Sequence, residues 1–146
     1  MPLTDPRSGP AAIATSTVRV RYVECDPMGV AHHASYLPWL EEARTEMLRS
    51  SGQTYRQMEA SGAFLVVADL SIRYRRPIRY DDVLEIRTWV SDTSTVRLCH
   101  RYEIVLVERD SARVSTGEIV TSAETTLVCV DLEGRPRPLP EFLRPR

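Results

Sequence analysis

The chain lacks a surplus of either charge: 19 Lys and Arg stand against 20 Asp and Glu, a net charge of -1 over 146 residues. That balance argues against nucleic acid as the main partner, because binding a phosphate backbone needs excess basic charge. Long hydrophobic runs are also missing. The apolar stretches are short and broken by charges, so none reads as a membrane span. No basic start followed by an apolar stretch opens the chain. Pro2, Pro6, Gly9 and Pro10 make 1–16 read as a flexible N-terminal arm. Cysteine is scarce and unpatterned. Cys25, Cys99 and Cys129 are an odd number without metal-ligand spacing, the usage expected of reduced thiols in a cytoplasmic protein. No internal repeat or linker interrupts 17–146, which reads as one domain. What is present is ordinary globular material, 42% hydrophobic and 27% charged, in a chain long enough for a real core.

The periodicities predict an order of elements. Residues 17–23 alternate Val18, Val20 and Tyr22 with Arg19 and Arg21, a first strand. A Pro/Gly loop follows. Ser35 reads as a helix cap, Pro38 falls in the tolerated first turn, and Tyr36, Leu37, Leu40, Ala43, Met47 and Leu48 recur at helical spacing as far as Ser51. Gly52 stops that helix, and 54–60 fits a short second one. Strands are then expected at 63–76, 83–91, 95–108 and 114–130, with short turns implying antiparallel pairing of consecutive strands. The tail 135–146 carries four prolines and cannot extend a central strand. The expected class is α+β, a curved antiparallel five-stranded sheet wrapped around one long central helix.

Asp26 stands where the first strand has ended and just ahead of the long helix. N–H groups at a helix start lack intrahelical partners and carry partial positive charge. A carboxylate beside such donors is laid out to attack a carbonyl carbon while they hold the developing oxyanion. Asp26 has two chemical roles available, attack or deprotonation of a water, and the first is favoured because a carboxylate is a weak base that gains from positioning. The bland alternative is an Asx-turn in the Pro-Met-Gly loop. His33 offers its backbone N–H, and its imidazole is a candidate to orient substrate or pass a proton to a leaving group. Gly29 suits either close backbone approach or positive φ. Tyr36, Trp39 and Leu40 are candidates for pocket lining or for core, Leu40 for core. Cys25 is a poor nucleophile because its acidic neighbour holds the thiol protonated. Asp26, His32 and His33 make no recurring metal-ligand pattern.

The stretch Cys25-Asp26-Pro27-Met28-Gly29-Val30, followed by His33-Ala34-Ser35-Tyr36 and Glu42-Ala43-Arg44, resembles the hot-dog-fold acyl-CoA thioesterases. The nearest branches are the 4-hydroxybenzoyl-CoA thioesterases and the short-chain acyl-CoA thioesterases of bacterial Tol–Pal gene clusters. Tyr74, Pro77, the run Asp81-Asp82-Val83-Leu84-Glu85-Ile86, and Val128-Cys129-Val130-Asp131 extend the likeness over nearly everything after the arm. The resemblance implies a homodimer joined sheet edge to sheet edge, often a dimer of dimers, with active sites at the interface. It makes Asp26 the catalytic group, sets the His33 N–H on the thioester carbonyl, and lines each site with Val66 and Ala68 of the other subunit. It implies an acyl-CoA substrate, with coenzyme A as part of substrate and product and no metal or redox cofactor.

Coenzyme A carries several phosphate charges, and arginine's fork of donors suits them. Arg73, Arg75, Arg76 and Arg79 cluster beside Pro77, while Arg97 and Arg101 sit on the next hairpin. The 4-hydroxybenzoyl-CoA enzymes carry a basic triplet near that hairpin, where this chain has Asp92-Thr93-Ser94-Thr95. The departure weighs against a hydroxybenzoyl substrate and leaves room for an acyl-carrier-protein thioester. Two rivals remain at this point: a hot-dog hydratase or dehydratase, disfavoured by the lack of a His-Phe-Pro-Gly-like pattern, and a non-catalytic acyl-binding protein.

Overall fold

In a computed structural model, residues 13–144 are described. Strands β1 (Ala14–Arg19), β2 (Phe64–Tyr74), β3 (Val83–Thr93), β4 (Arg97–Arg109), β5 (Ala112–Arg113) and β6 (Ile119–Val130) form one antiparallel sheet. Its order is β1-β3-β4-β6-β2, with the two-residue β5 returning on β4 as a hairpin. Helix α1 (Tyr36–Ser50) lies along one face, and α2 (Tyr55–Ala60) follows it. This is the hot-dog arrangement. Among the described residues no helix is long and apolar enough to cross a membrane.

Side-chain periodicity explains the packing. Leu84, Ile86 and Thr88 of β3 are buried, as are Leu98, His100, Tyr102 and Ile104 of β4. They alternate with partly exposed residues because successive strand positions face opposite sides. Trp39, Leu40 and Ala43 of α1 meet Leu84, Ile86, Tyr102 and Ile104 in one core. Leu40, Ile86 and Ile104 are at most 1% exposed. Each contributes about 1.5–3 kcal/mol of burial. A smaller cluster joins Met58, Ala63, Leu98, Leu127 and Cys129 to Leu139 of the proline-rich tail. The tail adds no central strand; Leu139 donates its N–H to the Thr95 carbonyl at 2.8 Å and is fully buried.

Five local expectations need correction. The first strand begins at Ala14 and ends at Arg19, because Tyr22–Glu24 curls into a 3-10 turn. Tyr22 is 81% exposed, whereas Val18 and Val20 of the same parity pack into the core, so the alternation signals burial only as far as Val20. The expected arm loses 14–16 to β1, and 1–12 lie outside the described residues. Ser35 does not cap α1 with its side chain; its hydroxyl donates instead to the Glu24 carbonyl at 2.8 Å. Strands β2 and β3 are consecutive but unpaired: β2 runs against β6, and 75–82 carries the chain across. Residues 114–118 are irregular, so the last long strand starts at Ile119.

The sheet carries one buried imidazole. Burial, reinforced by the nearby Arg44 charge, pushes His100 down from 6.5 to about 4. Unfolding restores the ordinary value, so between pH 6.5 and 4 the unfolded chain binds a proton that the folded one refuses. The contribution is complete above the upper limit and is lost as pH falls towards the lower one. Urea unfolding at stepped pH should show a decline of about 3 kcal/mol across that window, and His100→Leu should flatten it.

Candidate active site

The chain from Cys25 to His32 is a tight excursion held from both sides. The Asp26 N–H donates to the Val30 carbonyl and the Gly29 N–H to the Asp26 carbonyl, both at 2.9 Å. Asp26 Oδ1 accepts the Met28 N–H at 2.8 Å, which closes the Asx-turn. Gly29 takes φ +78°, where side chains are strained, yet a Cβ there would meet nothing within 4 Å. Backbone freedom, not close approach, explains this glycine. On the other side, the Ala31 N–H donates to the Ile78 carbonyl at 2.7 Å, pinning the loop to the 75–82 connection.

Glu24 joins the loop to the helix. Its buried carboxylate accepts the Trp39 indole N–H at 2.6 Å on Oε2 and the Arg21 backbone N–H at 2.7 Å on Oε1. Its carbonyl accepts the His32 N–H and the Ser35 hydroxyl, both at 2.8 Å. His32 Nδ1 takes the Ala34 N–H at 3.1 Å, so His32 caps the 3-10 turn His33–Ser35 that leads into α1. The His33 N–H makes no hydrogen bond among the described residues. It remains an available donor at the helix start.

A cleft of about 380 Å³ opens here, lined by Asp26, His33, Tyr36, Tyr74, Arg75 and Arg76, with Pro77 and Ile78 in its wall. Asp26 Oδ2 carries no hydrogen bond among the described residues, leaving one carboxylate oxygen free. Tyr36 is 3% exposed, and burial pushes its phenol up to about 12, so it stays a neutral hydroxyl. The Tyr74 ring stands edge-on to Tyr36 at 4.8 Å, and its hydroxyl donates to the His33 carbonyl at 2.8 Å. Burial pushes the Cys25 thiol up, with the charges of Glu24, Asp26 and Asp82 adding to it. A protonated thiol is no nucleophile.

Of the residues singled out in the sequence, the cleft brings together Asp26, His33, Tyr36, Arg75 and Arg76. Arg75 also reaches Ser122 Oγ at 3.4 Å, and Arg76 pairs with Glu118 at 2.9 Å. Gly29 shapes the loop from its exposed side. Val66 and Ala68 lie on β2 beside a bulge, exposed and away from the cleft of their own chain. Arg97 opens β4 opposite Val128, also outside it. Trp39 and Leu40 are core. Sequence reasoning gave no role to Glu24 and quoted Tyr74 only as part of the likeness; their roles arise from contacts 15 and 41 residues away along the chain. Glu24 did carry a signal, an acid directly after the expected strand and two residues before Asp26.

The family model described as the thioesterase-like superfamily matches residues 20–146. The chain is 37% identical over 127 residues to the acyl-CoA thioester hydrolase YbgC of Escherichia coli O157:H7, covering 86% of this chain and 89% of that one. The acyl-CoA thioesterase YbgC of Haemophilus influenzae is 32% identical, with 84% and 83% covered. A solved DHNA-CoA thioesterase from Staphylococcus aureus superposes with a TM-score of 0.78 at 31% identity, over 87% of this chain and 80% of that one. A loop carboxylate beside an open helix-start donor, on a hot-dog sheet, thus sits in a sequence that matches this family from Val20 to the tail, and the chain belongs to the thioesterase-like superfamily.

Proposed function

We propose that the protein hydrolyses acyl-CoA thioesters to the free acid and coenzyme A. The observation that carries this reading is the cleft that holds Asp26 together with the unpartnered His33 N–H. Asp26 Oδ2 attacks the thioester carbonyl carbon, and the carbonyl oxygen gathers negative charge against the His33 N–H. The C–S bond then breaks, the thiolate leaves and takes a proton from solvent, and a mixed anhydride remains on Asp26. Water hydrolyses that anhydride, releasing the acid and restoring the carboxylate. The Tyr36 hydroxyl borders the acyl group, and Arg75 and Arg76 meet the phosphates of coenzyme A. The reaction needs water and no metal or redox cofactor, since a thioester is already activated.

The quaternary reading belongs to the same proposal. β2 is an edge strand, and Val66 (45%), Val67 (50%) and Tyr74 (48%) are exposed on it. An unpaired edge bearing apolar side chains favours pairing with a second copy. A homodimer through β2 sets Val66 and Ala68 of each subunit near the other's cleft, and two such dimers can assemble further. A cytoplasmic location accords with the free thiols, at Cys25, Cys99 and Cys129. An acyl-carrier-protein thioester is the second substrate class to include in any panel.

Asp26→Asn keeps the shape and removes the attacking charge. Thiol release from an acyl-CoA panel should fall at least about a hundredfold; unchanged turnover removes Asp26 from the mechanism. After a single turnover in heavy-oxygen water, label in the Asp26 carboxyl group supports the anhydride, whereas label in the product acid alone favours the base role. Glu24→Gln leaves one acceptor oxygen for two buried donors. Chemical denaturation should report a loss of about 1–3 kcal/mol, and kcat should drop in the fraction that remains folded.

A further inference from the structure

A second chamber lies at the far end of α1 from Asp26. It has a volume of about 500 Å³, between the C-terminal half of α1, the inner face of the sheet and the 3-10 turn Glu141–Leu143. Met47, Leu48, Leu65, Leu98, Phe142 and Leu143 make its walls largely apolar. Tyr36 in the first cleft and Arg44 in the chamber are separated by about 12 Å of helix. Trp39, Leu40 and Ala43 fill the space between, each at most 3% exposed, and the two cavities share no lining residue.

Arg44, Tyr55 and His100 supply donors to the chamber, alongside the side chains of Ser50, Ser51 and Gln53. His100 is 2% exposed, its Nδ1 is orphaned, and neither ring nitrogen is hydrogen-bonded among the described residues. Arg44 is half-buried on the inward side of α1, with no carboxylate paired to it among the described residues. Its charge is felt by His100 and by Tyr55. Burial, the larger influence on Tyr55, pushes that phenol up and keeps its proton in place. A cation held against an apolar wall without a counter-ion, beside an unsatisfied imidazole, is unfavourable until something anionic joins it. An apolar cavity with a few convergent donors is the usual form of a small-molecule site, and this volume lies within the usual range of about 300–1,000 Å³.

We propose that this chamber binds a straight-chain aliphatic carboxylate, with the carboxyl group on Arg44 and His100 and the tail along Leu65, Leu98 and Leu143. The ligand combines one anionic head with an apolar chain, which matches the Arg44 cation and the unsatisfied His100 in a largely apolar lining. The site stands independently of the hydrolytic reading. If that reading holds, the ligand belongs to the class of its acid product, held at a place distinct from the reacting cleft.

Equilibrium titration of the intact chain with decanoate, decanol and acetate tests the assignment without any need for turnover. Decanoate should saturate at one per chain. Decanol should bind at least about tenfold more weakly, as loss of a charge-assisted contact implies, and acetate should not bind measurably. Arg44→Met should weaken decanoate by a similar factor and leave decanol unchanged. Leu98→Trp should fill the chamber and abolish binding of both, while Asp26→Asn should bind decanoate as the parent does. Equal affinity for decanoate and decanol overturns the proposal. So does binding that survives both Arg44→Met and Leu98→Trp, or that disappears with Asp26→Asn. Absence of saturable decanoate binding in the parent overturns it outright, whatever the hydrolytic assay shows.

Discussion

The carboxylate of Glu24 is the contact on which the site rests. Its oxygens take an indole N–H from the first turns of α1 and the backbone N–H of Arg21, just past the first strand. Its own carbonyl takes two more donors from the helix approach, His32 and Ser35. A buried charge is tolerated only when its lone pairs are occupied, and here several are. Four donors that meet in one residue leave the Asp26 loop little freedom relative to the helix start. That rigidity matters because attack on a carbonyl depends on the placement of the oxygen and the oxyanion donor, not on new contacts formed during reaction.

A second ion pair supports the loop from the opposite side. Asp82, 1% exposed, accepts Arg109 through Nη2 at 2.7 Å and Nε at 3.0 Å, together with the Arg79 N–H at 2.8 Å. The same stretch pairs with the loop, through the Val30–Arg79 bridge and the Ala31–Ile78 hydrogen bond. The reactive segment is therefore clamped between a helix and a sheet connection, each anchored by its own buried carboxylate. All 19 basic residues are arginine. Around the cleft this means planar donors of permanent charge, with no side-chain amine to be acylated by a thioester.

Much of the fold was legible in the sequence because burial there follows simple periods. The helix stripe of Tyr36, Leu40 and Ala43 and the alternation along β3 are both consequences of facing one core. What was not legible depends on distance along the chain. The alternation around Tyr22 looked like a strand, but Glu24 finds better partners by curling the backbone. The β2–β6 pairing joins residues as far apart as Phe64 and Val130, and no local pattern separates it from pairing with β3. Within the site, Asp26, Gly29 and His33 stood out through the loop they share, while Tyr74 looked like one more apolar position on a strand. Val66 and Ala68 are the extreme case, since any role for them belongs to an assembly and not to one chain's own contacts.

Tyr74 gives the architecture a mechanical link. Its hydroxyl grips the His33 carbonyl, yet its backbone ends the outermost strand of the sheet. The peptide planes around His33 are thus tethered to the rim where a neighbouring subunit would dock. A displacement of that edge strand therefore reaches the start of the helix through a single phenol.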